Sequence, residues 1–99
     1  MPDFKQKLAE IAFLMEPLLE DNAIPRNIRK KISESRERLV NANENHDVAI
    51  ATAIYLLEEI SNDINMPGHA RTDIYTIISE LEKVKEEIKT TQNGKNGKK

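Results

Sequence analysis

The chain contains no cysteine and no tryptophan. Without cysteine there can be no disulfide, no thiolate metal ligand and no thiol nucleophile, which fits a reducing cytoplasm, the compartment we expect. Phe4, Phe13, Tyr55 and Tyr75 are the complete aromatic set, so a folded interior must be built from Ile, Leu, Val, Met and Ala, a composition suited to packed helices. Gly68, Gly94 and Gly97 are the only glycines, and no glycine-rich phosphate loop can be drawn from them. Long hydrophobic runs are missing too. The longest uncharged stretch, Val48 to Leu57, is about half of what a membrane span needs, so a soluble protein without membrane contact is expected. Glu10 and Glu16 interrupt the apolar pattern of the opening residues, which therefore do not read as a secretory signal.

What is present is 99 residues, 38% hydrophobic and 32% charged, enough apolar material for one folded domain. The net charge of −2 conceals blocks of opposite sign. Residues 25–42 carry Arg26, Arg29, Lys30, Lys31, Arg36 and Arg38 against Glu34 and Glu37; residues 43–66 carry only acids.

Phe4, Leu8, Ile11, Met15 and Leu18 step by four and three, the stripe of one amphipathic helix. Pro17 lies inside that stripe, where it removes a backbone donor and crowds the preceding turn, so a kink or an end is expected between Phe13 and Pro17. A second helix is expected to open at Pro25, with Ile28, Ile32, Ser35, Leu39 and Ala42 as its seam. The Asn-rich segment 41–46 reads as a loop. The third helix, from about Asp47 to Ser61, is uncharged on every side between Val48 and Leu57. Such a helix is buried all round or meets another subunit, and Ile50, Ile54 and Tyr55 are the candidate oligomer face. Pro67 repeats the role of Pro25 and opens a fourth helix with the seam Ile74, Ile77, Leu81, Val84 and Ile88, widened by Ile78. Residues 90–99 carry no apolar side chain and read as a disordered polar tail.

Residues 13–32 align with residues 55–74 at an offset of 42. Leu14, Glu16, Asp21, Pro25, Arg29 and Ile32 fall on Leu56, Glu58, Asp63, Pro67, Arg71 and Ile74, and Phe13 falls on Tyr55. The period and the Asp and Arg positions resemble HEAT repeats, but two units make a poor solenoid. Two hairpins that cannot each bury an apolar stripe can face each other instead. The expected fold is therefore all-α: a four-helix bundle of tandem hairpins, about 3–42 and 46–89, related by pseudo-two-fold symmetry within a single domain over 1–89.

Asp21, Arg29, Asp63 and Arg71 recur at both interhelical turns, which favours a shared architectural role, in which the Asp satisfies free N–H groups and the Arg reaches back over the turn. Arg26, Arg29, Lys30 and Lys31 form a candidate nucleic-acid patch, although no aromatic platform accompanies it and Glu34 and Glu37 dilute it. His46 and His69 lack metal-ligand spacing, and His69 with Asp73 reads as a surface hydrogen bond. Glu58, Glu59 and Asp63 read as a solvated acidic cluster. No cofactor and no catalytic constellation is expected.

The segment AIATAIYLLEEISNDINMPGHARTDIYTIISELEKVK at 49–85, preceded by IPRNIRKKI at 24–32, resembles the archaeal uncharacterised protein family 0147. Its marks here are Pro25 to Arg29, Ser61, Asn62, Asp63, Met66, Pro67, His69, Ala70 and Arg71. The resemblance implies a small helical bundle in an archaeal cytoplasm, and assigns no biochemical role. The function expected from the residues is that of a noncatalytic helical interaction module binding a protein partner or itself as a homo-oligomer, with a nucleic-acid or ribonucleoprotein accessory as the alternative.

Overall fold

A computed structural model describes residues 3–43 and 45–96. The order is α1 (Phe4–Leu14), α2 (Glu16–Leu19), α3 (Arg26–Val40), α4 (His46–Ser61) and α5 (Gly68–Asn96). There is no strand among the described residues. α1 and α2 are one helical rod interrupted at Met15, inside the expected window. Pro17 has no N–H to give the Phe13 carbonyl. The Met15 N–H instead turns back to Ala12 at 3.0 Å, and the Met15 carbonyl accepts from Leu18 and Leu19.

The four rods form a closed ring. α3 packs on α4, α4 on α5, α5 on α1, and α1 on α3, so consecutive rods are neighbours and the bundle runs up and down in turn. Both short interhelical turns, 20–25 and 62–67, therefore lie at one end of the rod, and the α3–α4 loop lies at the other. The molecule measures 51 × 21 × 16 Å, its length set by α5.

The interior is aliphatic. Leu8, Ile11, Met15, Leu18, Ile28, Ile32, Leu39 and every seam residue of α5, Ile74 to Ile88, are buried. Phe4 is only partly buried, and the other three aromatics lie outside the core. Ser35 is the polar member of the α3 seam. Its hydroxyl donates to the Ile32 carbonyl at 2.8 Å, which removes the penalty of burying it.

The structure departs from three expectations. Ile50 and Ile54, offered as an oligomer face, are 0% and 8% exposed and belong to this chain's own core, because α4 turns that side towards α3, α5 and the bundle axis; Tyr55 alone of the three faces solvent. Pro25 is the N-cap of α3 and not its first helical residue: ψ is 148°, extended, and its carbonyl receives the Ile28 and Arg29 N–H groups. α5 does not stop at 89. Its backbone continues as helix to Asn96, since nothing before Gly94 breaks it, while residues 97–99 of the expected tail lie outside the described residues.

Candidate functional site

The two short turns repeat the hydrogen bonds of their Asp residues at the offset of 42. Asp21 Oδ1 accepts the Ala23 N–H at 2.9 Å, and Asp63 Oδ1 accepts the Asn65 N–H at 2.8 Å. The Asp21 carbonyl accepts from Ile24, and the Asp63 carbonyl accepts from Met66. Each Asp thus stabilises the turn itself, two residues on, and does not reach the N–H groups of the following helix.

The two arginines reach back, as expected, but unequally. Arg29 Nε donates to the Ile24 carbonyl at 3.0 Å. Arg71 donates from Nε to Ser61 at 2.8 Å, and from one terminal nitrogen to Asp63 and Met66, both at 3.1 Å. One guanidinium therefore holds the end of α4, the turn and the residue before Pro67 together, a use of its rigid fork that an ammonium could not reproduce. The second turn is the more tightly held.

His69 is placed differently from its expected pairing with Asp73. Its Nε2 lies 2.8 Å from Asp21 Oδ2, linking the start of α5 to the first turn. An ionised carboxylate only accepts, so Nε2 carries the proton of this bond. The His69 hydrogen bond, with help from the Ala23 N–H and the Arg29 charge, holds the Asp21 carboxyl below its usual value. His46 lies at the opposite end, edge-on to Phe4 with ring centroids 6.4 Å apart.

The candidate nucleic-acid patch does not present four free cations. Arg29 is committed to Ile24, and Lys31 Nζ lies 3.2 Å from Glu59 Oε1. Arg26 and Lys30 remain exposed. Arg36 pairs with Glu16 at 2.7 Å. Glu58, Glu59 and Asp63 do not share one site: Glu59 faces Lys31, and Asp63 serves the turn. Among the described residues no group of three or more His, Asp or Glu side chains could hold a metal ion.

Between α3 and α4, beside their loop, runs an open groove of about 740 Å³ lined by Glu34, Arg38, Asn41, Val48, Ala49 and Thr52 among others. Outside the grooves stand large apolar side chains that the core does not use. Phe13 is 73% exposed, Tyr55 67% and Tyr75 53%. Ile64 is 91% exposed at the tip of the Arg71-clamped turn. The offset of 42 places Ile64 on Asn22, the one aligned position in the turns where a large apolar residue stands against a polar one, and that mismatch is the sequence signal that could have marked it.

The model of the uncharacterised protein family UPF0147 matches residues 1–84. The UPF0147 protein of Thermoplasma volcanium is 44% identical over 73 residues, 74% of this chain and 82% of that one. That of Methanocaldococcus jannaschii is 45% identical over 78 residues, 79% of this chain and 84% of that one. A crystal structure of a UPF0147 protein from Thermoplasma acidophilum superposes with a TM-score of 0.74 at 40% identity, covering 82% of this chain and 95% of that one. No helix among the described residues is long and apolar enough to cross a membrane.

Proposed function

The chain belongs to the UPF0147 family, and we propose that it works as a noncatalytic helical module that binds other proteins in the cytoplasm. The carrying observation is the inversion of its aromatics: three of the four lie outside an otherwise aliphatic core, on α1, α4 and α5. Large aromatic side chains cost little entropy to order and dominate the energetics of protein contacts, so placing them outward favours binding a partner. A frame held by clamped turns supports this, since a rigid surface loses less freedom on association.

The test is affinity capture from an archaeal extract with the full chain and with Phe13→Ser. Phe13 touches solvent over most of its surface, so its replacement should change stability by no more than about 0.5 kcal/mol. The expected result is a specific protein retained by the parent chain and lost with the variant at unchanged melting temperature. Equal retention by both, or none by either, would defeat the reading.

A further inference from the structure

We propose that the side of the bundle formed by α3 and α4 is the seat of a second copy of this chain, an assignment that rests on the interaction reading and names its partner. On α3 the exposed stripe runs Asn27, Lys30, Glu34, Arg38 and Asn41 in steps of three and four. On α4 the neighbouring stripe runs Val48, Thr52, Tyr55 and Glu59, of which Val48 and Tyr55 are exposed apolar residues. The groove lies between them at the loop end. The Lys31–Glu59 pair sets the height: Lys30 and Glu59 stand level, near the turn end of the rod.

A two-fold axis parallel to the helices, lying in the contact plane, keeps every residue at its height and exchanges left with right. The second copy's α3 then lies over this copy's α4. Its Lys30 comes to Glu59 while this copy's Lys30 meets the second copy's Glu59, so each ion pair is made twice. The aliphatic stems of Lys30 and Arg38 fall across Tyr55 and Val48, and the groove is covered from both sides. The other face of the bundle, formed by α5 and α1, lacks the Lys30 and Glu59 pair. The offset of 42 puts α5 where α3 stands and α1 where α4 stands; there Thr72 and Asp73 replace Lys30 and Lys31, and Pro17 replaces Glu59. That face has Phe13, and its own cross-helix pair, Lys7 with Glu87 at 3.4 Å, lies at the loop end of the rod.

The area is sufficient. A stable contact takes about 800 Å² from each partner, roughly one eighth of the chain's accessible surface of 6328 Å² and about half of one long side of a four-sided rod.

Sedimentation velocity of the full chain, over concentrations up to about 1 mM, tests the assignment, with Lys30→Glu and Glu59→Lys measured alone and mixed. The parent chain should dimerise, more weakly as salt rises. Each reversal alone sets like charges opposite one another twice, and should weaken dimerisation at least about tenfold. Mixed one to one, the two variants should restore the dimer as a heterodimer, because both contacts then join opposite charges. A chain monomeric throughout, or a dimer indifferent to both reversals, would overturn the second-copy assignment. Either result leaves the interaction reading to the Phe13→Ser capture, which probes the other face.

Discussion

Arg29 and Arg71 occupy equivalent positions in the alignment of the chain with itself, yet the work they do differs. Arg29 makes one hydrogen bond to a turn carbonyl and Arg71 makes three, all in a half-buried setting where an abandoned carbonyl is costly. Arg71→Ala should therefore destabilise the fold by about 2–3 kcal/mol, Arg29→Ala by about 1 kcal/mol, and Arg71→Lys should recover little. Denaturant melts of the three variants, compared at constant slope, check the order; equal losses at both arginines would contradict it. Asp21 gives a prediction in pH. Its folded carboxyl titrates below the unfolded value because of the His69 bond, so the unfolded chain binds the extra proton first. The stability from that link is fully present above the ordinary carboxylate value of about 3.9, and is lost as the pH falls through the lower folded value. Between about pH 5 and pH 2 the melting temperature of the parent chain should fall more steeply than that of Asp21→Asn, which has no charge to lose there. Parallel curves would show that the link carries no charge-dependent stability.

At the scale of the elements, much was legible because helices declare themselves by period. The seams of α1, α3 and α5 were readable from steps of three and four, and Pro17 announced the break at Met15. α4 was the hard case. Its uncharged sequence from Val48 to Leu57 has no polar side to orient it, so the pattern could not say which face meets solvent. Packing decides it: Ile50, Ala53, Ile54, Leu57 and Ile60 are buried, and the exposed stripe is left with Val48 and Tyr55. The turn arginines were legible for a similar reason, since repetition singles out residues whose roles are local. The His69 bond to Asp21 was not. It joins residues 48 apart in the chain, and no periodicity carries information about which side chains two separate hairpins bring to the same end. Within its own helix, His69 has only Asp73 one turn on, which is why a single-helix pattern pairs those two.

The molecule as a whole should unfold as one cooperative unit, and the ring of rods says why. Each rod has two neighbours. α3 packs against α1 and α2 in its own hairpin and against α4 in the other; α5 likewise packs against α4 and α1. Neither hairpin can bury its stripe alone. A fragment of residues 1–43 would leave Leu8, Ile11, Ile28, Ile32 and Leu39 open to water on the side that α4 and α5 cover. Burying a side chain of this size contributes about 1.5–3 kcal/mol, and such losses, several times over, exceed the marginal stability of a small domain. The helices of that fragment, of 11, 4 and 15 residues, are themselves marginal in water when isolated. Fragment 1–43 should accordingly show little helical circular dichroism alone, and 45–99 less than its share of the intact chain. Mixed, they should regain helix, because the α3–α4 loop lies at the far end from both clamped turns and cutting it breaks no bond of either Asp or either Arg. A separately folded 1–43 hairpin with its own sharp thermal transition would refute this, and would mean that the two halves only lean on one another.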